Sequence, residues 1–104
     1  MAKGYWVVRM DVHDQDGYVN EYVARNAKPI TEHGGRFLVR GGKAELHEGG
    51  QRARTVVVEF PSYQAALDCA NSPDYQEAVA HRRKYAEGDF LVIEGYDGPQ
   101  PGEK

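Results

Sequence analysis

Two hydrophobic periods alternate along this chain, and their order restricts the fold more than any other feature of the sequence. Residues 4–13 (GYWVVRMDVH) repeat at every second position, with Trp6, Val8, Met10 and Val12 on one face and Tyr5, Val7, Arg9 and Asp11 on the other. The period then becomes helical. Tyr18, Val19, Tyr22, Val23, Asn26, Ala27 and Ile30 recur at helical spacing behind cap oxygens at Asp14 and Asp16. Pro29 predicts a kink or interruption near the end of that helix, and Gly34-Gly35 predicts its stop. Arg36–Arg40 (RFLVR) returns to strand, and Gly41-Gly42 bends the chain away. Residues 43–53 are polar and contain glycine, which predicts a short hairpin with its tip at Gly49-Gly50. Arg54–Phe60 (RTVVVEF) is the clearest strand, and Pro61 ends it. Ser62 caps a short helix through about Ala70, and Ser72-Pro73 starts a second that runs to about Tyr85. Gly88 turns the chain into the last strand, residues 90–95 (FLVIEG).

The resulting order, β-α-β-β-α-β, predicts an α+β domain with a four-stranded antiparallel sheet in the ferredoxin-like arrangement. Right-handed crossovers place both helical segments on one sheet face. A chain of 104 residues forms one such domain, assigned to residues 1–98, with a loosely ordered tail at 99–104. Alternation puts Trp6, Val8, Met10, Phe37, Val39, Val56, Val58, Phe60, Leu91 and Ile93 under the helices. The uncovered face then receives Tyr5, Val7, Arg9, Asp11, Leu38, Arg40, Thr55, Val57, Glu59, Phe90, Val92 and Glu94. That face is too apolar to stand in water. A second copy of the chain is the economical cover, because a two-fold pair needs only one self-complementary patch.

Charge narrows the partners further. Thirteen Lys and Arg against sixteen Asp and Glu leave a net charge of −3 without a basic stripe, so no nucleic acid is expected. Arg82-Arg83-Lys84 reads as a solvated helix face beside Glu77 and Glu87, with the alternative that Arg82 or Arg83 points one guanidinium towards the sheet edge. The one cysteine, Cys69, fits a reducing compartment and sits among alanines as a packing residue. No secretory pattern or membrane-length apolar run is present, so a cytoplasmic location without membrane contact is expected. His13, His33, His47 and His81 have no metal-ligand spacing and no glycine motif suits a nucleotide, so no cofactor is predicted.

On the uncovered face, charges are expected to run across the strands as Glu94, Arg9, Glu59 and Arg40. One reading makes Arg9 and Arg40 an anion site with Glu59 as acid or base. Gly41 then offers bare backbone to a ligand, and Tyr75 lines the mouth, where Tyr18, Tyr22 and Tyr63 are further candidates; the alternative for these tyrosines is half-buried packing with the hydroxyl in water. The other reading makes the row a salt-bridge ladder that fixes the pairing of two copies.

The stretches GYWVVRMDV, GGRFLVRGG, VVVEFPSY, SPDYQEA and EGDFLVIEGYDG resemble the domain-of-unknown-function family 1330, in order and over nearly the whole chain. The resemblance implies a ferredoxin-like fold of the dimeric α/β-barrel superfamily. That superfamily includes cofactor-free monooxygenases, muconolactone isomerases and haem-dependent enzymes, together with non-catalytic ligand-binding modules. The family itself has no established reaction. Two functions therefore stand side by side: a cofactor-independent enzyme or binder for a small carboxylate or carbonyl compound, and a non-catalytic interaction or ligand-sensing module.

Overall fold

A computed structural model of the chain describes residues 2–102. Its elements are β1 (Gly4–Val12), α1 (Gln15–Gly17) running through a π-helical segment (Tyr18–Val23) into α2 (Ala24–Glu32), β2 (Arg36–Arg40), β3 (Arg54–Phe60), α3 (Tyr63–Asn71), α4 (Pro73–Tyr85) and β4 (Ala86–Glu94). All strand pairs are antiparallel, in the order β2-β3-β1-β4, which is the ferredoxin-like order. Helix starts are set by short polar side chains that accept otherwise orphaned backbone N–H groups. Asp14 accepts from Gly17 N at 3.0 Å, Ser62 from Ala65 N at 3.0 Å and Ser72 from Tyr75 N at 3.3 Å. Ser72 Oγ also donates to the Cys69 carbonyl at 2.7 Å, so one residue closes α3 and opens α4.

The core lies between the sheet and the helices. Trp6 is its centre, with the rings of Tyr75, Phe90 and Phe60 at 4.6, 4.9 and 5.0 Å and its indole N–H donated to the Ala66 carbonyl at 2.9 Å. Tilted ring pairs of this kind add to the burial of the rings themselves. Cys69 is fully buried and donates to the Pro29 carbonyl at 3.3 Å.

Several expectations are corrected. The chain does not break at Pro29, since α2 continues through it to Glu32 and Gly35 N donates back to the Ile30 carbonyl at 2.8 Å. Residues 43–53 form no hairpin and run as irregular chain. Gly88 is not a turn. It pairs with Met10 inside β4, where a Cβ would collide with the Arg9 carbonyl. β4 and the end of β2 also present the opposite faces from those expected. Val92 lies opposite Trp6 and Phe90 opposite Val8, so these two enter the core, while Leu91 and Ile93 face outward at 52% and 45% exposure. In β2 a bulge at Leu38 takes one residue out of register, so that Val39 opposes Val57 on the outer face. Arg40 then opposes Val56 on the helix side. Of the tail, residues 103–104 lie outside the described chain; Tyr96 donates to the Pro99 carbonyl at 2.7 Å.

Candidate functional site

The expected ionic row does not assemble. Glu59 faces Tyr5 and Arg36; Arg36 Nε reaches it at 3.0 Å and the Tyr5 hydroxyl donates at 3.4 Å. Arg9 lies opposite Asp89 and Thr55, four positions along β1 from Tyr5, or roughly 13 Å from Glu59's row at the strand rise. Its guanidinium donates to the Gly50 carbonyl at 2.8 Å. Arg40 is on the opposite face, stacked on Phe37 at 4.2 Å. Glu94 opposes Gly4 at the end of the sheet. Gly41 has φ 71°, and the side chain packed against it is Arg54. Arg9, Arg36 and Glu59 thus find their partners within the chain itself. Asp11 belongs to the same pattern. Hydrogen bonds from Ala53 N and Arg52 hold its carboxyl below the usual range and tie the irregular segment to β1.

The polar groups that do converge lie on the other side of the sheet. Tyr75 is 1% exposed and sits in the core; Tyr18 and Tyr22 are buried with it, while Tyr63 stays at the surface. The hydroxyls of Tyr22 and Tyr75 are 2.7 Å apart. Arg82, read as part of a solvated face or as turned towards the sheet edge, is 8% exposed and donates to the Tyr75 hydroxyl at 3.2 Å. Its guanidinium sits 5.6 Å from the Tyr22 ring centre and 5.4 Å from that of Phe90. Among the described residues no carboxylate lies within ion-pair distance of it, and its Nε is buried without a hydrogen-bond partner. Burial raises the Tyr75 hydroxyl far above its ordinary value, so it acts as a neutral donor and acceptor.

Two cavities flank this cluster. A groove of about 230 Å³ opens between α3, α4 and β4, lined by Leu67, Tyr75, Gln76, Val79, Arg82 and Phe90 among others. An inner cavity of about 30 Å³ lies between the sheet and the first helical run. Tyr18, Tyr22 and Asn26 reach it from the helix, and Trp6, Arg40 and Arg54 from the strands. The π-helical turn matters here, because it widens the step between successive turns and lines up Tyr18, Tyr22 and Asn26 along one inward stripe. Arg54 was missed as a site residue, although its position was signalled: it shares the alternation of Val56, Val58 and Phe60, and so points inward as a charge. Among the described residues, no cluster of His, Cys, Asp and Glu side chains is arranged to hold a metal ion.

Strand order and helix placement define this protein as a ferredoxin-like α+β domain. The chain belongs to the family described as domain of unknown function DUF1330, whose model matches residues 3–96. It is similar in structure to the RPA0582 protein of unknown function from Rhodopseudomonas palustris, at 17% identity and a TM-score of 0.72, over 93% of this chain and 85% of that one. It is also similar to SnoaB, a cofactor-independent oxygenase from Streptomyces nogalater, at 14% identity and a TM-score of 0.60, over 94% of this chain and 97% of that one. At these identities the likeness establishes the fold. No curated protein matches the chain. No described helix is long and apolar enough to cross a membrane.

Proposed function

We propose that this protein is a homodimer, paired through its outer sheet face, that binds a small anionic organic molecule in the groove under α4. The ligand class is a carboxylate or an enolisable carbonyl compound. The observation that carries the reading is Arg82, a buried guanidinium with no counter-charge among the described residues. A charge removed from water without a partner is strongly unfavourable, and a bound carboxylate would supply the missing forked acceptor. Leu67, Val79 and Phe90 offer apolar contact to the body of such a ligand, while Gln76 and Arg83 stand at its polar rim. The groove lining contains no carboxylate, histidine or thiol, so binding comes first in this reading. Any reaction there would draw on the ligand's own acidity. SnoaB, a distant protein of the same fold, is a cofactor-independent oxygenase, which is compatible with such a scheme.

The test compares benzoate and pyruvate with neutral benzamide by calorimetry and thermal shift. Benzoate or pyruvate should bind the parent and raise its melting temperature, and benzamide should not. Arg82→Met should abolish the carboxylate effect while melting, without ligand, at or above the parent temperature. Equal shifts from benzoate and benzamide, or carboxylate binding retained in Arg82→Met, would sink the proposal.

A further inference from the structure

The inner cavity has a direction of hydrogen bonding set by which groups can donate. A guanidinium only donates, so the Tyr75 oxygen accepts from Arg82. The proton of the buried Tyr75 hydroxyl then needs an acceptor, and the one in reach is the Tyr22 oxygen at 2.7 Å. Tyr22 must therefore send its own proton elsewhere, and its hydroxyl has no other protein hydrogen bond among the described residues. Tyr22 lines the inner cavity. The chain Arg82 to Tyr75 to Tyr22 thus ends as a donor aimed into that space.

The rest of the lining has the same sign. Arg54 and Arg40 bring positive charge and Asn26 an amide, while among the described residues no Asp or Glu lines the cavity. Arg54 Nε is buried without a partner. The tyrosines cannot serve as counter-ions near neutral pH, since burial keeps Tyr18 as well as Tyr75 protonated. The remaining walls, Trp6, Ile30 and Val58 among them, are apolar. About 30 Å³ holds one or two water-sized bodies and no organic skeleton.

We infer that the inner cavity is a binding site for one small inorganic monovalent anion, no larger than nitrate, held by the Tyr22 hydroxyl with Arg54 and Asn26. The site is separate from the groove under α4, and it can stand or fall independently of the groove ligand.

Excess chlorine-35 linewidth in solution tests it. The parent should broaden the chloride signal, and added nitrate or bromide should reverse the broadening. Tyr22→Phe and Arg54→Met should each weaken chloride binding by about tenfold or more, the usual effect of losing a hydrogen bond to a charged group. Tyr22→Phe keeps the ring and therefore the packing, so it remains informative if Arg54→Met folds poorly. Crystals grown in bromide should show an anomalous peak beside Tyr22. Broadening unchanged in Tyr22→Phe, or a cavity holding only water at high bromide, would overturn the inference. Benzoate binding would be untouched by that result, as chloride binding would be by failure of the groove.

Discussion

At the scale of single residues, burial decides chemistry more than residue type does. Cys69 is the plain case. Enclosed by the alanines of α3 and the Pro29 carbonyl, its thiol is pushed up to about 12 by burial. The folded state keeps a proton that the unfolded state releases from its ordinary value near 9. Its contribution to stability is therefore complete below that value and declines as pH rises from there towards 12. Cys69 should react with a disulfide reagent at about pH 8 only at the rate of global or local opening. Cys69→Ala should show a shallower loss of stability than the parent over the alkaline range, measured by urea melts. Fast stoichiometric labelling of the native protein would contradict this account. The same principle explains why the sequence alone left Arg82 between two placements. In sequence it stands in an Arg-Arg-Lys run, which ordinarily means a wet helix face, and only the approach of Tyr22, Tyr75 and Phe90 shows that it is enclosed.

Elements obey local rules where one signal is unopposed and depart from expectation where two are balanced. The caps were unopposed: Ser62 and Ser72-Pro73 start helices as the sequence predicts. Ser72→Ala removes the acceptor for Tyr75 N and the donor to the Cys69 carbonyl together. It should lower stability by about 1 kcal/mol, or about 4–8 °C in melting temperature for a domain of this size. No change in melting would mean that the packing of α3 on α4, and not the cap, sets the junction. β1 and β3 were equally legible, because Arg9 and Asp11 in β1, and Thr55 and Glu59 in β3, mark one face as the more polar. β4 was not, because FLVI is apolar on both faces and only its pairing with β1 chooses between them. In β2 the bulge at Leu38 reverses the facing of the last two residues, carrying Arg40 inward and Val39 outward. The stripe of Tyr18, Tyr22 and Asn26 was legible from its spacing, but a π-helical turn has no periodic signature distinct from an α-helix over six residues, and the cavity it faces appears only in the fold.

The whole molecule is a slab. Its Cα atoms span 49 × 34 × 16 Å, a thickness that admits one sheet and one helical layer and nothing more. One face of the sheet is therefore bare, and the register gives it an unexpected order. Leu91, Val7, Val57 and Val39 lie side by side across all four strands, so an apolar band crosses the middle of the face. Ile93 and Tyr5 extend it on one side, next to the Glu59–Arg36 pair; on the other lie Arg9, Asp89 and Asp11, with Arg52 bridging Asp11 and Asp89. Because these charges are matched within one chain, they leave no excess sign to select a charged partner, and the band itself is what must be covered. A band crossing a sheet can meet its own image about a two-fold axis, apolar centre on apolar centre, with paired charges at both rims. Covering it removes large aliphatic side chains from water at roughly 25 cal/mol per Å², whereas a charge at its centre would be trapped unpaired. The expectation is a dimer in sedimentation velocity at micromolar concentration. Val57→Lys and Leu91→Lys should each give a monomer with an unchanged far-ultraviolet spectrum. Asp89→Asn, at the rim, should leave the dimer intact, because rim charges contribute little. A parent that sediments as a monomer at about a hundred micromolar, or lysine variants that remain dimeric, would remove the second copy from this face. Benzoate binding under α4, on the far side of the sheet, should survive dissociation.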